Sequence, residues 1–231
     1  MMDRNRARDI EARLKQVRAE IDSAVTLIVV TKNFPLSDIE ILFALGERNF
    51  GENRVQELVQ KREGIDPRMD QEITWHFQGG IQSNKTPLLN RFADVIHSVD
   101  SLKVIDRLDD SKRVFLQINL DSPIREGGGD VARSGIDPSD LEHFASSMSK
   151  KFGENFLGVM GVAPHFAGIT PIDINAAFSK LQTISSKVME IAPSATAISA
   201  GMSDDYPLAL EHGATHIRLG SSILGRRQPT A

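Results

Sequence analysis

The sequence contains no cysteine among its 231 residues. This absence excludes disulfide bonds, thiolate catalysis and sulfur-ligated metal sites, and it fits a reducing compartment. The chain also lacks an uncharged apolar run long enough to span a bilayer, and no apolar signal-peptide core follows its charged N-terminal residues. We therefore expect a cytoplasmic protein that does not contact membranes.

An excess of positive charge is missing as well. The formal net charge is -4, the pI is near 5.9, and acidic and basic residues are interleaved along the chain. A nucleic-acid binder would carry a basic stripe, so we expect no nucleic-acid partner. The six histidines form no His-Glu-x-x-His pattern and no carboxylate cluster has ligand spacing, so we predict no metal site.

Short apolar segments alternate with helical patterns along the chain, after a first helix over residues 4–21. We predict strands at Leu27–Val30, Asn49–Phe50, Thr74–Phe77, Val95–Ser98, Val114–Asn119, Leu157–Gly161, Ala197–Ser199 and His216–Leu219. Eight parallel strands joined by helical crossovers favour a single (β/α)8 TIM-type barrel over residues 1–231, with its functional loops at the strand C-termini. A doubly wound open sheet is the alternative.

Two turns rich in small residues follow the last two strands, Ile198-Ser-Ala-Gly-Met-Ser-Asp-Asp205 and Ile217-Arg-Leu-Gly-Ser-Ser222. Each leads into a predicted helix and leaves backbone N–H groups and hydroxyls at the start of that helix, where an anion is favoured. The sequence therefore predicts a phosphate site. Its candidate donors are Ser199, Gly201, Met202, Ser203, Gly220 and Ser221. Ordinary helix capping by Ser203 would also explain the first turn.

A lysine closes the first apolar strand, Thr26-Leu-Ile-Val-Val-Thr-Lys32. Burial lowers the pKa of an amine and enlarges its neutral fraction, which Schiff-base formation requires. An amine facing a phosphate cradle suggests an aldehyde cofactor held as a Schiff base, and pyridoxal 5'-phosphate (PLP) fits best. Without the two turns, Lys32 would be read as a solvated lysine at a strand end.

Several segments in order resemble the pyridoxal phosphate homeostasis protein family. They are Val29-Val-Thr-Lys32, Phe50-Gly-Glu-Asn-Arg-Val-Gln-Glu57, Trp75-His-Phe77, Gln82-Ser-Asn-Lys85, Ile96-His-Ser-Val-Asp-Ser101, Gly201-Met-Ser-Asp-Asp205 and Arg218-Leu-Gly220. The resemblance implies the alanine racemase-like barrel of fold-type III PLP proteins. It makes Lys32 the Schiff-base lysine, places Asn53 in the cofactor pocket and sets Arg218 against the pyridine nitrogen.

The resemblance also implies a monomer that stores, buffers or delivers PLP to apoenzymes without robust catalysis. An amino-acid racemase of the alanine racemase type is the main alternative, but it needs a second base, usually a tyrosine from another domain. The only tyrosine is Tyr206, in the helix after the phosphate turn. A phosphosugar isomerase or aldolase using Lys32 would need a placed base, and no candidate stands out.

Three further features of the sequence each allow two interpretations. Asn53 could act as a helix N-cap instead of lining the pocket. His76 and His97 are expected to be hydrogen-bonded structural residues more than direct contacts. The segment 121–135 contains three consecutive glycines and lacks apolar anchors, so it is either a lid or surface slack.

Overall fold

The structure, a computed structural model, describes residues 4–120, 134–164 and 169–225. Within these residues eight parallel strands close into a barrel in the order β1 to β8. Closure is made where Thr26–Val29 of the first strand pairs with His216–Leu219 of the last. The closed barrel confirms the (β/α)8 prediction and shows that the open-sheet alternative was wrong.

The strands are β1 (Thr26–Val30), β2 (Asn49–Glu52), β3 (Thr74–Phe77), β4 (Val95–Val99), β5 (Arg113–Ile118), β6 (Phe156–Gly161), β7 (Ala197–Ser199) and β8 (His216–Leu219). The helices of the described residues are α1 (Arg4–Glu20), α2 (Leu36–Ala44), α3 (Val55–Gly64), α4 (Pro67–Asp70), α5 (Thr86–Phe92), α6 (Leu102–Arg107), α7 (Leu141–Phe152), α8 (Pro171–Ile191), α9 (Tyr206–Glu211) and α10 (Ser221–Leu224). Short 3-10 turns precede α5 and α7 and follow α7.

Strand side chains alternate between two buried layers. One set, such as Ile217 and Leu219, faces the helices in a continuous hydrophobic shell. The other set faces the barrel lumen, where Val95, Phe115 and Met160 form a separate small cluster. Polar side chains in the lumen are therefore held between strands and shielded from solvent.

Helix α1 packs against α2 and α10 outside the barrel. Arg18 of α1 pairs with Glu47 at 2.6 Å. Arg6 pairs with Asp38 of α2, and its Nη1 donates to the Leu224 carbonyl at the end of α10 at 2.9 Å. These bonds fix α10, whose first residue belongs to the predicted phosphate turn.

Two expected helix caps are absent. Helix α3 begins at Val55 with Arg54 at the cap position, so the N-cap role considered for Asn53 was wrong. Helix α9 begins at Tyr206 with Asp205 at the cap position, so Ser203 lies outside that helix and does not cap it. Each helix begins one or two residues later than a cap at the expected residue would place it.

Two further expectations from the sequence concern the segment 121–135 and membrane contact. The glycine-rich segment 121–135 lies, up to residue 133, outside the described residues. No helix of the described ranges has the length and apolar content needed to cross a membrane.

Candidate cofactor site

The predicted site residues meet at the end of the barrel formed by the strand C-termini. Lys32 and Asn53 follow β1 and β2, while the two small-residue turns follow β7 and β8. In TIM barrels this end carries the functional loops, and phosphate commonly binds at the loops after strands 7 and 8. The fold thus joins segments that are almost 190 residues apart in the sequence.

Lys32 is half-buried, in a turn whose backbone is held on both sides. Before it, Thr31 donates its N–H to the Gly51 carbonyl at 3.0 Å. After it, Asn33 adopts a left-handed φ of 62° and donates its N–H to Glu57 Oε1 at 2.6 Å. A non-glycine residue in that region is uncommon, and the Glu57 bond helps to offset its cost.

A buried ion cluster supports this turn from behind. Lys61 Nζ donates to Glu52 Oε1 at 2.6 Å, to Glu57 Oε1 at 2.8 Å and to the Thr31 carbonyl at 2.7 Å. Burial raises the pKa of Glu52, and the Lys61 ammonium opposes that shift. Removing Lys61 would leave the buried Glu52 carboxylate without its cation, at a cost of about 3 to 5 kcal/mol. This cluster was not predicted from the sequence.

The turns after β7 and β8 are linked directly to each other. Ser203 Oγ lies 3.2 Å from Ser222 Oγ and accepts the Ser222 N–H at 3.3 Å. The Met202 N–H is already bonded to Asp205 Oδ1 at 2.6 Å. Among the described residues, the backbone N–H groups of Ser203 and Ser221 have no acceptor. These N–H groups are therefore available to an anion.

Two glycines make this arrangement possible. Gly201 has a φ of +90°, where L side chains are strained, and a Cβ there would lie 2.8 Å from Tyr206 Cα. At Gly220 a Cβ would lie 3.2 Å from the carbonyl oxygen of Val30. The second turn therefore packs against the strand that leads to Lys32.

Arg218 points into the lumen and is 4% exposed. Its Nη1 donates to Ser199 Oγ at 2.8 Å and its Nη2 to the Gly161 carbonyl at 3.0 Å. Burial lowers its pKa to about 10, with Asp205 opposing, so the guanidinium is charged at neutral pH. Three of its five N–H groups have no acceptor among the described residues.

The family of the alanine racemase N-terminal domain matches residues 6–228. The pyridoxal phosphate homeostasis protein of Mycobacterium bovis is 33% identical over 227 residues, which covers 88% of this chain and 83% of that protein. The chain belongs to the pyridoxal phosphate homeostasis protein family.

Solved structures agree with this family membership. PipY of Synechococcus elongatus, solved with PLP bound, superposes on this chain with a TM-score of 0.79 at 33% sequence identity. The superposition covers 94% of this chain and 100% of the PipY chain. The alanine racemase of Corynebacterium glutamicum has a TM-score of 0.72 at 13% identity and covers 96% of this chain and 62% of its own, a likeness of fold alone.

In this member of the pyridoxal phosphate homeostasis protein family, the lumen beneath the mouth is polar. His76 and His97 are buried and hydrogen-bonded to each other at 2.9 Å. This agrees with the expectation that they are hydrogen-bonded structural residues. Burial, chiefly, holds the pKa of each well below its ordinary value. The predicted Lys32, Ser199, Arg218 and Gly220 lie around one mouth, whereas the side chain of Asn53 forms no hydrogen bond with the residues that the structure describes.

One further lumen group was missed from the sequence. Gln78 follows β3, and its Oε1 is buried without a hydrogen-bond partner among the described residues. A Cβ on Gly51 would lie 3.0 Å from Gln78 Nε2, so the amide sits over that glycine. An unpaired buried acceptor at the mouth is suited to a polar ligand. Its position at a strand end, two residues after His76, was the available signal.

Proposed function

We propose that this chain binds PLP and acts in PLP homeostasis, by storing, buffering or delivering the cofactor. Support comes from relatives named pyridoxal phosphate homeostasis protein, whose sequences are about one third identical to this chain, and from PipY, which was solved with PLP bound. When bound, PLP supplies an aldehyde that condenses with an amine, with loss of water, and a pyridine ring that withdraws electrons.

The observation that carries the proposal is the grouping of three kinds of donor at one barrel mouth. A fixed lysine-bearing turn, two linked turns with unused N–H groups, and a buried guanidinium with unused N–H groups all lie there. An amine, an anion cradle and a cation match the aldehyde, the phosphate and the ring nitrogen of PLP. The residues present therefore fit the cofactor.

The proposed roles follow the chemistry of each group. Ser203, Gly220 and Ser221 would hold the phosphate, with Ser199, Gly201 and Met202 shaping that turn. Lys32 Nζ would bond covalently to the aldehyde carbon, and Asn53 would line the pocket between them. Arg218 would donate to the ring nitrogen.

We further propose that the protein has no robust turnover of amino acids. A guanidinium donates hydrogen bonds and does not accept them, so Arg218 would keep the ring nitrogen unprotonated and the ring a weak electron sink. Tyr206, the only tyrosine, donates its hydroxyl to Glu20 of α1. Burial and that carboxylate raise the pKa of Tyr206 to about 12, which makes it a poor second base for a racemase.

Covalent labelling tests the site. PLP is added to the purified protein, the visible absorption band is recorded, and borohydride reduction is followed by peptide mapping. We expect the label on Lys32, its loss in Lys32→Ala, and its retention in Lys187→Ala, which changes an exposed lysine of α8. A label on a helix-surface lysine, with Lys32 unmodified, would overturn the assignment.

Isotope exchange tests the lack of turnover. The PLP-loaded protein is incubated with L-alanine in deuterated water and the α-proton is followed by NMR. We expect exchange no faster than with free PLP at the same concentration. Rapid exchange with accumulation of the D-isomer, abolished in Lys32→Ala, would restore the racemase.

Transfer tests delivery. The PLP-loaded protein is mixed with an apoenzyme of known PLP dependence, in the presence of a scavenger of free PLP. Reactivation of the apoenzyme that survives the scavenger supports direct delivery, whereas its complete loss would indicate buffering through free PLP.

A further inference from the structure

A chain of hydrogen bonds rises through the barrel lumen and ends at Arg218. Arg218 Nη1 contacts Ser199 Oγ at 2.8 Å, Ser199 Oγ contacts His97 Nδ1 at 2.9 Å, and His97 Nε2 contacts His76 Nδ1 at 2.9 Å. His76 Nε2 then contacts Asn49 Oδ1 at 3.0 Å. We call these five residues the lumen chain. They come from β8, β7, β4, β3 and β2.

The chemistry of the two ends gives the lumen chain one direction. Arg218 has no acceptor atom, so Ser199 Oγ accepts there and is left with its own hydrogen to donate to His97 Nδ1. At the other end Asn49 Oδ1 only accepts, so His76 Nε2 carries a hydrogen. With both rings neutral, His97 Nε2–H donates to His76 Nδ1, and both histidines are Nε2–H tautomers.

Charge and packing keep the histidines in that state. Both rings are buried, and the pKa of His97 is depressed by burial first and then by His76, Arg218 and His216. The His97 ring stacks on Phe115 with centroids 4.5 Å apart and planes 14° apart. A ring held in this way cannot turn to offer its other nitrogen to Ser199.

The lumen chain affects how the guanidinium of Arg218 is held. Its planar fork is held on one side by Ser199 and on the other by the Gly161 carbonyl of β6. Without His97 the Ser199 side chain would lose one of the two bonds that fix its rotamer, and it could turn its oxygen away from Arg218, which would remove one of the two bonds to the guanidinium. The bond between His97 and Ser199 thus helps to keep Arg218 in a fixed position.

We propose that His97 is a positioning residue: through Ser199 it fixes the guanidinium of Arg218, and so the group that faces the ring nitrogen of the bound cofactor. The last part rests on the proposed function. His97 itself does not touch the cofactor in this account, and His76 and Asn49 set its tautomer from below.

The first arm of the test uses the protein without added cofactor. Long-range ¹⁵N–¹H NMR spectra report the tautomer of each histidine and the arginine side-chain signals. We expect Nε2–H tautomers for His76 and His97, and slowly exchanging Arg218 Nη–H signals that broaden or vanish in His97→Leu. An Nδ1–H tautomer at His97, or unchanged arginine signals in the variant, would overturn the inference even if PLP did not bind.

The second arm measures PLP affinity and the absorption spectrum of the bound cofactor. We expect His97→Leu and Ser199→Ala to shift the band and to raise the Kd on the order of tenfold. His97→Gln, whose amide can accept from Ser199 and donate to His76, should recover most of both. His212→Gln is the control, because His212 bonds Gln182 and Asn175 outside the barrel.

Folding is monitored by near-UV circular dichroism, and Ser199→Ala replaces His97→Leu if the latter does not fold. Parent-like affinity and spectrum in a folded variant would refute the positioning role. Absence of any band in the parent protein would instead refute the proposed function and leave the decision on His97 to the NMR arm.

Discussion

Acid should destabilise this barrel through a histidine of its lumen. His216 alternates with Ile217 along β8 and faces inward, where its ring meets Phe115 edge-on with centroids 5.2 Å apart. Burial, followed by Arg113 and Arg218, lowers its pKa from 6.5 to about 4. We expect His216→Leu to reduce the loss of stability that the parent protein suffers between pH 7.5 and pH 5.

The sign follows from which state takes up the proton first. The folded pKa lies below the unfolded one, so as the pH falls the unfolded chain binds the proton before the folded chain does. The contribution of His216 is intact above pH 6.5, is lost between about pH 6.5 and pH 4, and changes no further below that. By pH 5 the loss from this one group is roughly 2 kcal/mol.

The assay is urea unfolding of parent and variant at pH 7.5, 6 and 5, followed by the fluorescence of Trp75, the only tryptophan, which is fully buried. Carboxylates and the other histidines titrate in both proteins, so the difference between the two pH dependences isolates His216. The variant is allowed a different absolute stability. Parallel curves, with a difference below about 0.5 kcal/mol across the range, would refute the reasoning.

Three further predictions concern the mouth. Gly220→Val should abolish PLP retention, because even a Cβ at this position would lie 3.2 Å from the carbonyl oxygen of Val30 in β1. Gly80→Val is the control and should retain PLP, because a Cβ there would meet open space. If equilibrium dialysis shows equal PLP retention by the two variants, the β8 turn does not hold the phosphate. Ser221→Ala should only weaken retention, because its backbone N–H remains. Glu57→Ala should cost about 1 to 2 kcal/mol in urea unfolding and slow PLP attachment to Lys32, because it frees the backbone N–H that follows that lysine. Glu57→Gln keeps an acceptor oxygen and should recover part of the lost stability and part of the lost attachment rate. If stopped-flow absorbance shows the same rate of PLP attachment in Glu57→Ala as in the parent, the ion cluster does not support the lysine turn.

Much of the fold could be predicted from the sequence because its signals are local. Apolar segments bounded by turn residues predicted all eight strands, with Thr74–Phe77 and His216–Leu219 matching at both ends. Helix α8 has a start that its residues signal locally, since Pro171 opens it after a Thr170 cap that receives the N–H of Asp173. Helices α4 and α6 have four and six residues, which is too few to show a helical period in the sequence.

The parts of the site that could be predicted were also local. A lysine after an apolar strand and glycines in short turns are visible in a few consecutive residues, as at Lys32, Gly201 and Gly220. Helix starts were less reliable: Asn53 and Ser203 are good capping residues by type, but the turns after β2 and β7 continue past them before each helix begins. The spacing of residues in the sequence does not contain that geometry.

The tertiary structure alone decided which polar groups are partners. Glu52 and Lys61 form a buried pair only because α3 packs back onto β2, and nothing in their residue types predicts it. The lumen chain depends on the register of five strands, since a shift of one residue would turn His97 or Arg218 toward the helices. Sequence supplied the residues and their periodicity, whereas barrel closure set the distances between them, because hydrogen bonds across a lumen depend on strand stagger and not on chain order.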